Sequence, residues 1–318
     1  MKAIRIATFG GPEVLQLTEI PRPVPAADEV LVQVMACGVN RAEMRIRSGS
    51  INDRMPVPLP WTPGSDFAGT VAAVGADVTT FQPGEAVYGV ANFPGEGSYA
   101  EYVVAKAGQV GHNPQGISFV EAAGVPLAAL TAWTGLYAAG HLRTGERVLI
   151  HGASGGVGTF AVQLAKWTGA YVIATASAAN QEFVKELGAD EVLDYHQPFE
   201  QQLTNLDMVF DGVGEAGTAL QLRSVRVLRA GGRLVSAQFI PFTPEVQQAL
   251  HQQSATGESF GVQLRSETLN ELAQLLAAGQ VRSIVANVYP LAQAAAAHHD
   301  LEGRGTQGKI VLEVQPEA

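Results

Sequence analysis

Hydrophobic positions along the chain change their rhythm once. In the first third, short apolar runs come at close intervals, at Lys2–Ala7, Val14–Ile20, Glu29–Ala36, Gly69–Val74, Ala86–Val90 and Ser98–Val104. Gly10-Gly11-Pro12, Pro21-Arg22-Pro23 and Gln82-Pro83-Gly84-Glu85 separate them, and these are residues that turns favour. The rhythm predicts a small β-barrel or sandwich, interrupted by one helix over Arg41–Ser48. From Phe119 the period lengthens. Apolar strands at Val148–His151, Tyr171–Thr175, Glu191–Leu193, Met208–Asp211 and Arg233–Ala237 alternate with helices, the pattern of a doubly wound parallel sheet in an α/β protein. Glu258–Gln263 reads as a last strand of that sheet. An amphipathic helix (Thr268–Ala278), another strand, an alanine-rich helix (Leu291–Asp300) and a closing strand (Lys309–Val314) follow.

One strand-to-helix junction carries chemistry. Val148–Ile150 run through His151-Gly152-Ala153-Ser154-Gly155-Gly156-Val157-Gly158 directly into a helix. Gly155, Gly156 and Gly158 let the backbone turn tightly and approach a phosphate without a Cβ in the way. The free N–H groups at the start of that helix, with the positive end of its dipole, then suit a pyrophosphate. Three glycines alone are a weak signal; a strand before and a helix after supply the context that the motif requires.

Composition narrows the partners. At 318 residues the chain has room for two domains, and its formal net charge is −10. With no basic run, a nucleic-acid surface is excluded, so an anionic ligand must be held by local arginines and N–H groups. Cys37 is the only cysteine, which rules out an intramolecular disulfide and a cysteine-rich zinc lobe. The first residues lack the apolar core of a signal peptide, and no apolar run has the length of a membrane span. A cytoplasmic protein is expected.

Six motifs in order, Ala36-Cys-Gly-Val-Asn-Arg-Ala-Glu43, Pro63-Gly-Ser-Asp-Phe-Ala-Gly69, Ala129-Leu-Thr-Ala-Trp133, Gly152–Gly158, Leu187-Gly-Ala-Asp190 and Arg304-Gly-Thr-Gln-Gly-Lys309, carry a resemblance over essentially the whole length. The chain resembles the zinc-free quinone oxidoreductase (zeta-crystallin-like) branch of the medium-chain dehydrogenase/reductase superfamily. The resemblance implies a GroES-like β-barrel catalytic domain in two pieces, residues 1–120 and 263–318, around an inserted Rossmann nucleotide domain, 121–262. It also implies a homodimer in which the strand Glu258–Gln263 pairs with its twin.

Alcohol dehydrogenases of this superfamily bind zinc through a cysteine after Gly-Val and the histidine of Gly-His-Glu. Here Asn40 follows Gly38-Val39, and the second motif is Gly64-Ser65-Asp66. No metal site is expected, since zinc needs three or four N, S or O ligands. His298 and His299 are adjacent and are expected at the surface; Cys37, offset from the ligand position, is expected to pack in the barrel. Without a metal, the acceptor must take hydride readily, as a quinone or an activated enone does.

The end of the second nucleotide strand, Ala174-Thr-Ala-Ser-Ala-Ala-Asn180, lacks the acid that accepts from the ribose of NADH, which favours NADPH. Ser177 can donate to a 2′-phosphate. The resemblance places Tyr195 and Arg304 in the same pocket, with Asn180 where relatives often carry lysine. It implies further cofactor contacts from Ser154, Gly155, Gly156, Val157, Val213, Ala237 and Phe239, and sets Asn40 and Thr131 near the nicotinamide, with the acceptor in the cleft between domains. Several of these positions have a second reading. Thr131 can bond its own helix, Trp61 either walls the substrate pocket or packs in the core, and Asp66 is a stray acid or a buried structural one. Arg45 stands where relatives carry a tyrosine. It either steadies developing negative charge or lies on the outer face of its helix beside Arg41 and Arg47. Two rival functions stay open at this level: a 2-alkenal or enone reductase that detoxifies reactive carbonyls, and a non-catalytic NADPH-binding protein.

Overall fold

A computed structural model describes residues 1–213, 217–303 and 305–316. Two compact units divide the chain: 1–127, 264–279 and 283–318 form the first, and 128–263 with 280–282 form the second. The expected break at 120/121 moves to 127/128 for a local reason. Ser118 starts a short helix, Phe119–Ala123, through a capping box with Glu121, and just beyond it the Leu127 N–H donates to Asp66 Oδ1 at 2.7 Å. The segment 280–282 joins the second unit because Gln163 accepts from the Arg282 N–H (2.8 Å) and donates to its carbonyl (3.1 Å).

The first unit is built on the strand Glu29–Val39, which bonds to three neighbours. Asp66–Val74, Tyr102–Lys106 and Lys309–Glu313 all pair with it antiparallel. It runs three residues beyond the expected Ala36, because Cys37, Gly38 and Val39 face Leu312, Val311 and Ile310 of the closing strand. Asp66–Val74 likewise starts before the expected Gly69, where Asp66 pairs with Val90. Ser98–Val104 is displaced to Tyr102–Lys106, Ala100 making only an isolated bridge to Ala3, and Val14–Ile20 shortens to Gln16–Glu19 behind a 3₁₀ turn at Pro12–Val14. Ile4, Val32, Val34, Phe67, Val87, Tyr99, Val110 and Ile310 close the core, each at most 1% exposed. A buried side chain of this size stabilises the fold by about 1.5–3 kcal/mol.

The second unit is a six-stranded, all-parallel sheet. Its strands in chain order are Arg147–His151, Tyr171–Ala176, Glu191–Asp194, Leu206–Asp211, Leu228–Ser236 and Thr256–Ser259; across the sheet they run third, second, first, fourth, fifth, sixth. The order reverses beside the first strand, and ligands of open α/β sheets bind outside the strand ends at such a switch point. The sixth strand differs from the expected Glu258–Gln263. Thr256–Ser259 pairs with Arg233–Ser236; past it, Phe260 turns its side chain into the interior beside Phe210, and the Gln263 N–H donates to Thr134 Oγ1. Among the described residues no helix is long and apolar enough to cross a membrane.

Each unit encloses a histidine. His151 bridges Thr175 Oγ1 (2.9 Å) and Ser224 Oγ (3.0 Å), and burial pushes its pKa down to about 4 against the opposing pull of Asp211. His298 corrects the surface expectation: Ala294, Ala297 and His298 form the inner face of their helix, while His299 is exposed. His298 Nε2 meets the Tyr99 hydroxyl at 3.0 Å, and burial, with the Arg47 charge, pushes its pKa down to about 3. Both folded values lie below the unfolded one, so the fold favours neutral imidazole. The associated stability is complete above the unfolded pKa and is lost as pH falls from there toward the folded values. Between pH 7 and pH 5 each histidine should cost about 2 kcal/mol. Urea unfolding at the two pH values checks this, and a His298→Gln variant should show the shallower dependence; equal stability of the parent protein at both would contradict it.

Candidate functional site

At the end of the first parallel strand the chain turns through Gly152, whose φ of +70° disfavours any side chain. The sequence points to Gly155, Gly156 and Gly158 for this turn, but the left-handed residue is Gly152. Gly155 is an extended N-cap, and Gly158 is the close contact: a Cβ there would lie 2.1 Å from the Gly152 carbonyl oxygen. The helix Gly156–Trp167 begins directly behind, and no side chain among the described residues caps it. Its first N–H groups, on Gly156, Val157 and Gly158, have no partner within the helix. Such an end suits a phosphate group.

Most of the expected cofactor residues gather around this end of the second unit. Ser154 lies in the turn and accepts from Asn180 Nδ2 at 3.1 Å. Asn180, buried, thereby braces the turn. Ser177, half-buried, starts the short turn after the second strand, and the Tyr195 N–H donates to the Ala176 carbonyl beside it, leaving the tyrosine ring exposed. Val213 packs over Gly152 and follows the fourth strand, where Asp211 accepts from the Val213 N–H, Ser236 Oγ and Gln238 Nε2. Ala237 donates its N–H to the Asp211 carbonyl, and Phe239 follows with φ +57° and 64% exposure. Thr131 lies half-buried in the helix Pro126–Trp133. Arg304 falls outside the described residues.

The first unit holds a buried polar network at the end of its central strand. Asn40 follows Val39 and precedes the helix Arg41–Ser48, whose buried face is Glu43, Ile46 and Arg47. Asn40 Nδ2 donates to Asp66 Oδ2 (3.0 Å) and Glu43 Oε1 (3.2 Å), while Asn40 Oδ1 accepts from Lys309 Nζ. Lys309 also donates to the Val39 carbonyl and to Asp66 Oδ2, each at 3.2 Å. Asp66 is thus the buried structural acid, bonded to backbone and side chains alike. Glu43 accepts from the Ser65 N–H as well; burial pushes its carboxyl pKa up, and Oε2 has no partner among the described residues.

Glu43 and Lys309 were not singled out from the sequence. The available signal was a charged residue opening an otherwise apolar strand, Lys309-Ile-Val-Leu, and an acid three positions before Ile46 on the one helical face that packs inward. Arg47 corrects another expectation, since it is 2% exposed and paired with Glu302; Arg45 is half-buried. Trp61 is 3% exposed and its indole donates to the Gly95 carbonyl. Cys37 lies in the same core, its thiol pKa raised by burial. Among the described residues no three His, Cys, Asp or Glu side chains converge as a metal-binding group.

Residues 26–115 match the alcohol dehydrogenase GroES-like domain family and residues 187–312 the zinc-binding dehydrogenase family. Pig quinone oxidoreductase is 36% identical, over 98% of this chain and 97% of its own. The quinone oxidoreductase structure from Coxiella burnetii superposes with a TM-score of 0.90 at 34% identity, covering 99% of both chains. That of the Escherichia coli enzyme complexed with NADPH gives 0.88 at 31%, covering 99% of this chain and all of the other. The motifs, the parallel-strand order and this full-length similarity agree: the chain belongs to the quinone oxidoreductase branch of the medium-chain dehydrogenase/reductase superfamily.

Proposed function

We propose that the chain transfers hydride from NADPH to a quinone, or to an enone of similar electrophilicity, without a metal ion. The observation that carries this reading is the donor set of the first unit: an amide at Asn40, an ammonium at Lys309 and a serine at Ser65 are poor company for zinc. A quinone needs no Lewis acid, because aromatisation drives its reduction. When bound, NADPH supplies the hydride, and the second proton of the hydroquinone comes from water.

The chain's own contribution is binding and orientation. The N–H groups of Gly156, Val157 and Gly158 suit the pyrophosphate, Val213, Ala237 and Phe239 offer apolar surface, and Ser177 with Arg304 would hold a 2′-phosphate. No acid stands at the end of the second strand to repel that phosphate. Arg45 supplies positive charge five residues after Asn40, suited to an enolate or quinolate oxygen. NADPH oxidation measured against quinones, enals and enoyl thioesters tests the acceptor class. Turnover should be fastest with quinones, should survive chelators, and should come from protein holding no stoichiometric zinc by elemental analysis. Turnover confined to enals would transfer the assignment to carbonyl detoxification, and one zinc per chain would sink the metal-free reading.

Cofactor choice has its own test. Arg304→Ala should weaken NADPH by about 1.5–3 kcal/mol, the worth of a charge-assisted pair, and leave NADH unchanged. Fluorescence titration of both cofactors separates this from a general role, for which both would weaken equally.

We further infer a homodimer. Thr256–Ser259 lies at the edge of the parallel sheet, and such an edge is satisfied when its twin pairs with it across a two-fold axis. Sedimentation at micromolar concentration should give the dimer mass; a monomer would count against the pairing.

A further inference from the structure

We propose that Lys309 is the resident cation of the buried network and positions Asn40 for hydride transfer, an inference that rests on the metal-free reading above. An ammonium has three N–H donors, and here three acceptors meet them: the Val39 carbonyl, Asn40 Oδ1 and Asp66 Oδ2. All are oxygens. Lys309 is 4% exposed and Asp66 0%, so neither charge has water as a substitute partner. Asp66 has its second oxygen on the Leu127 N–H, which leaves the ammonium and the Asn40 amide to neutralise the first.

The network decides which way the Asn40 amide faces. Its carbonyl oxygen points at the ammonium and its NH₂ group at two carboxyl groups. Flipping the amide would set NH₂ against an ammonium and the carbonyl oxygen against Asp66 and Glu43, unfavourable at both ends. That preference depends on the charge of Lys309. Removing it leaves Asp66 unneutralised and takes from the amide the partner of its carbonyl oxygen, one of the two ends that fix its orientation. Lys309 is accordingly a positioning residue: it acts through Asn40, half-exposed at the start of the following helix, and is itself enclosed.

The test compares Lys309→Met, which keeps the length of the stem, with Lys309→Ala, which opens room for a small amine. Lys309→Met should melt lower by about 10 °C, as expected when one partner of a buried ion pair is removed. Its kcat for NADPH oxidation with a naphthoquinone should fall about 10- to 100-fold, the usual consequence of a misplaced reacting group, with the KM for NADPH unchanged. Ethylammonium should raise both the melting temperature and kcat of Lys309→Ala, whereas ethanol at equal concentration should raise neither. Rescue by ethanol as well would show that only the stem's volume matters. A lowered melting temperature with unchanged kcat would overturn the positioning role, and wild-type values of both in Lys309→Met would overturn the proposal entirely. Should Lys309→Met fail to fold, the double variant Lys309→Met/Asp66→Asn removes both charges and serves instead: reduced kcat in the folded protein supports positioning, and wild-type kcat refutes it. Melting and its rescue by amine need no turnover, so they still test the cage if the parent enzyme reduces no quinone at all.

Discussion

The pairing of Lys309–Glu313 with Ala36–Val39 joins the two ends of the first unit into one sheet. Two segments about 270 positions apart must meet to complete one sheet, and the chain between them has to leave and come back. Closing a loop costs entropy that grows only slowly with its length. When the intervening residues form a folded unit of their own, most of that freedom has already been removed. A nucleotide sheet inserted between two pieces of a β-domain is therefore a thermodynamically modest arrangement. The same strand pairing brings an ammonium from one end of the chain to an amide and a carboxylate from the other.

Most of the architecture was legible because it is written in local periodicity. The helix Arg41–Ser48 has an asparagine before it and a glycine after it, and its bounds follow from those residues. The parallel strands are short apolar runs between helices, which few other folds accommodate. The sixth strand was misplaced because Thr256-Gly-Glu-Ser259 has almost no apolar content; it is a strand only by virtue of the neighbour it pairs with. The units as their contacts divide them meet at 127/128, seven residues past the expected break, and the Leu127 N–H there donates to the Asp66 carboxylate, sixty-one positions away, a partner that local pattern does not encode.

The strand–turn–helix that opens the second unit was legible for the same cause as the fold. A turn that forces positive φ and a helix that starts without a side-chain cap leave their mark in adjacent residues. The polar interior of the first unit left no such mark. Arg47, His298, Glu43 and Lys309 look like surface residues one at a time, and each is buried because a partner arrives from elsewhere: Glu302, Tyr99, the Ser65 backbone and Asp66 respectively. Burial of a charged or polar group is a property of the pair, and single-residue patterns do not encode pairs. Asn180 shows the same limit, since its amide serves Ser154 twenty-six positions earlier.

The return of the closing strand also orders events during synthesis. Chains emerge from the ribosome amino end first, and domains fold as their residues become available. Residues 128–263 form their sheet without any contribution from Lys309–Glu313. The β-domain, by contrast, holds Asn40 and Asp66 ready long before its cation exists. Until Lys309 is translated, Asp66 has no ammonium to pair with, so the parallel sheet can be complete while the first unit still lacks its closing strand.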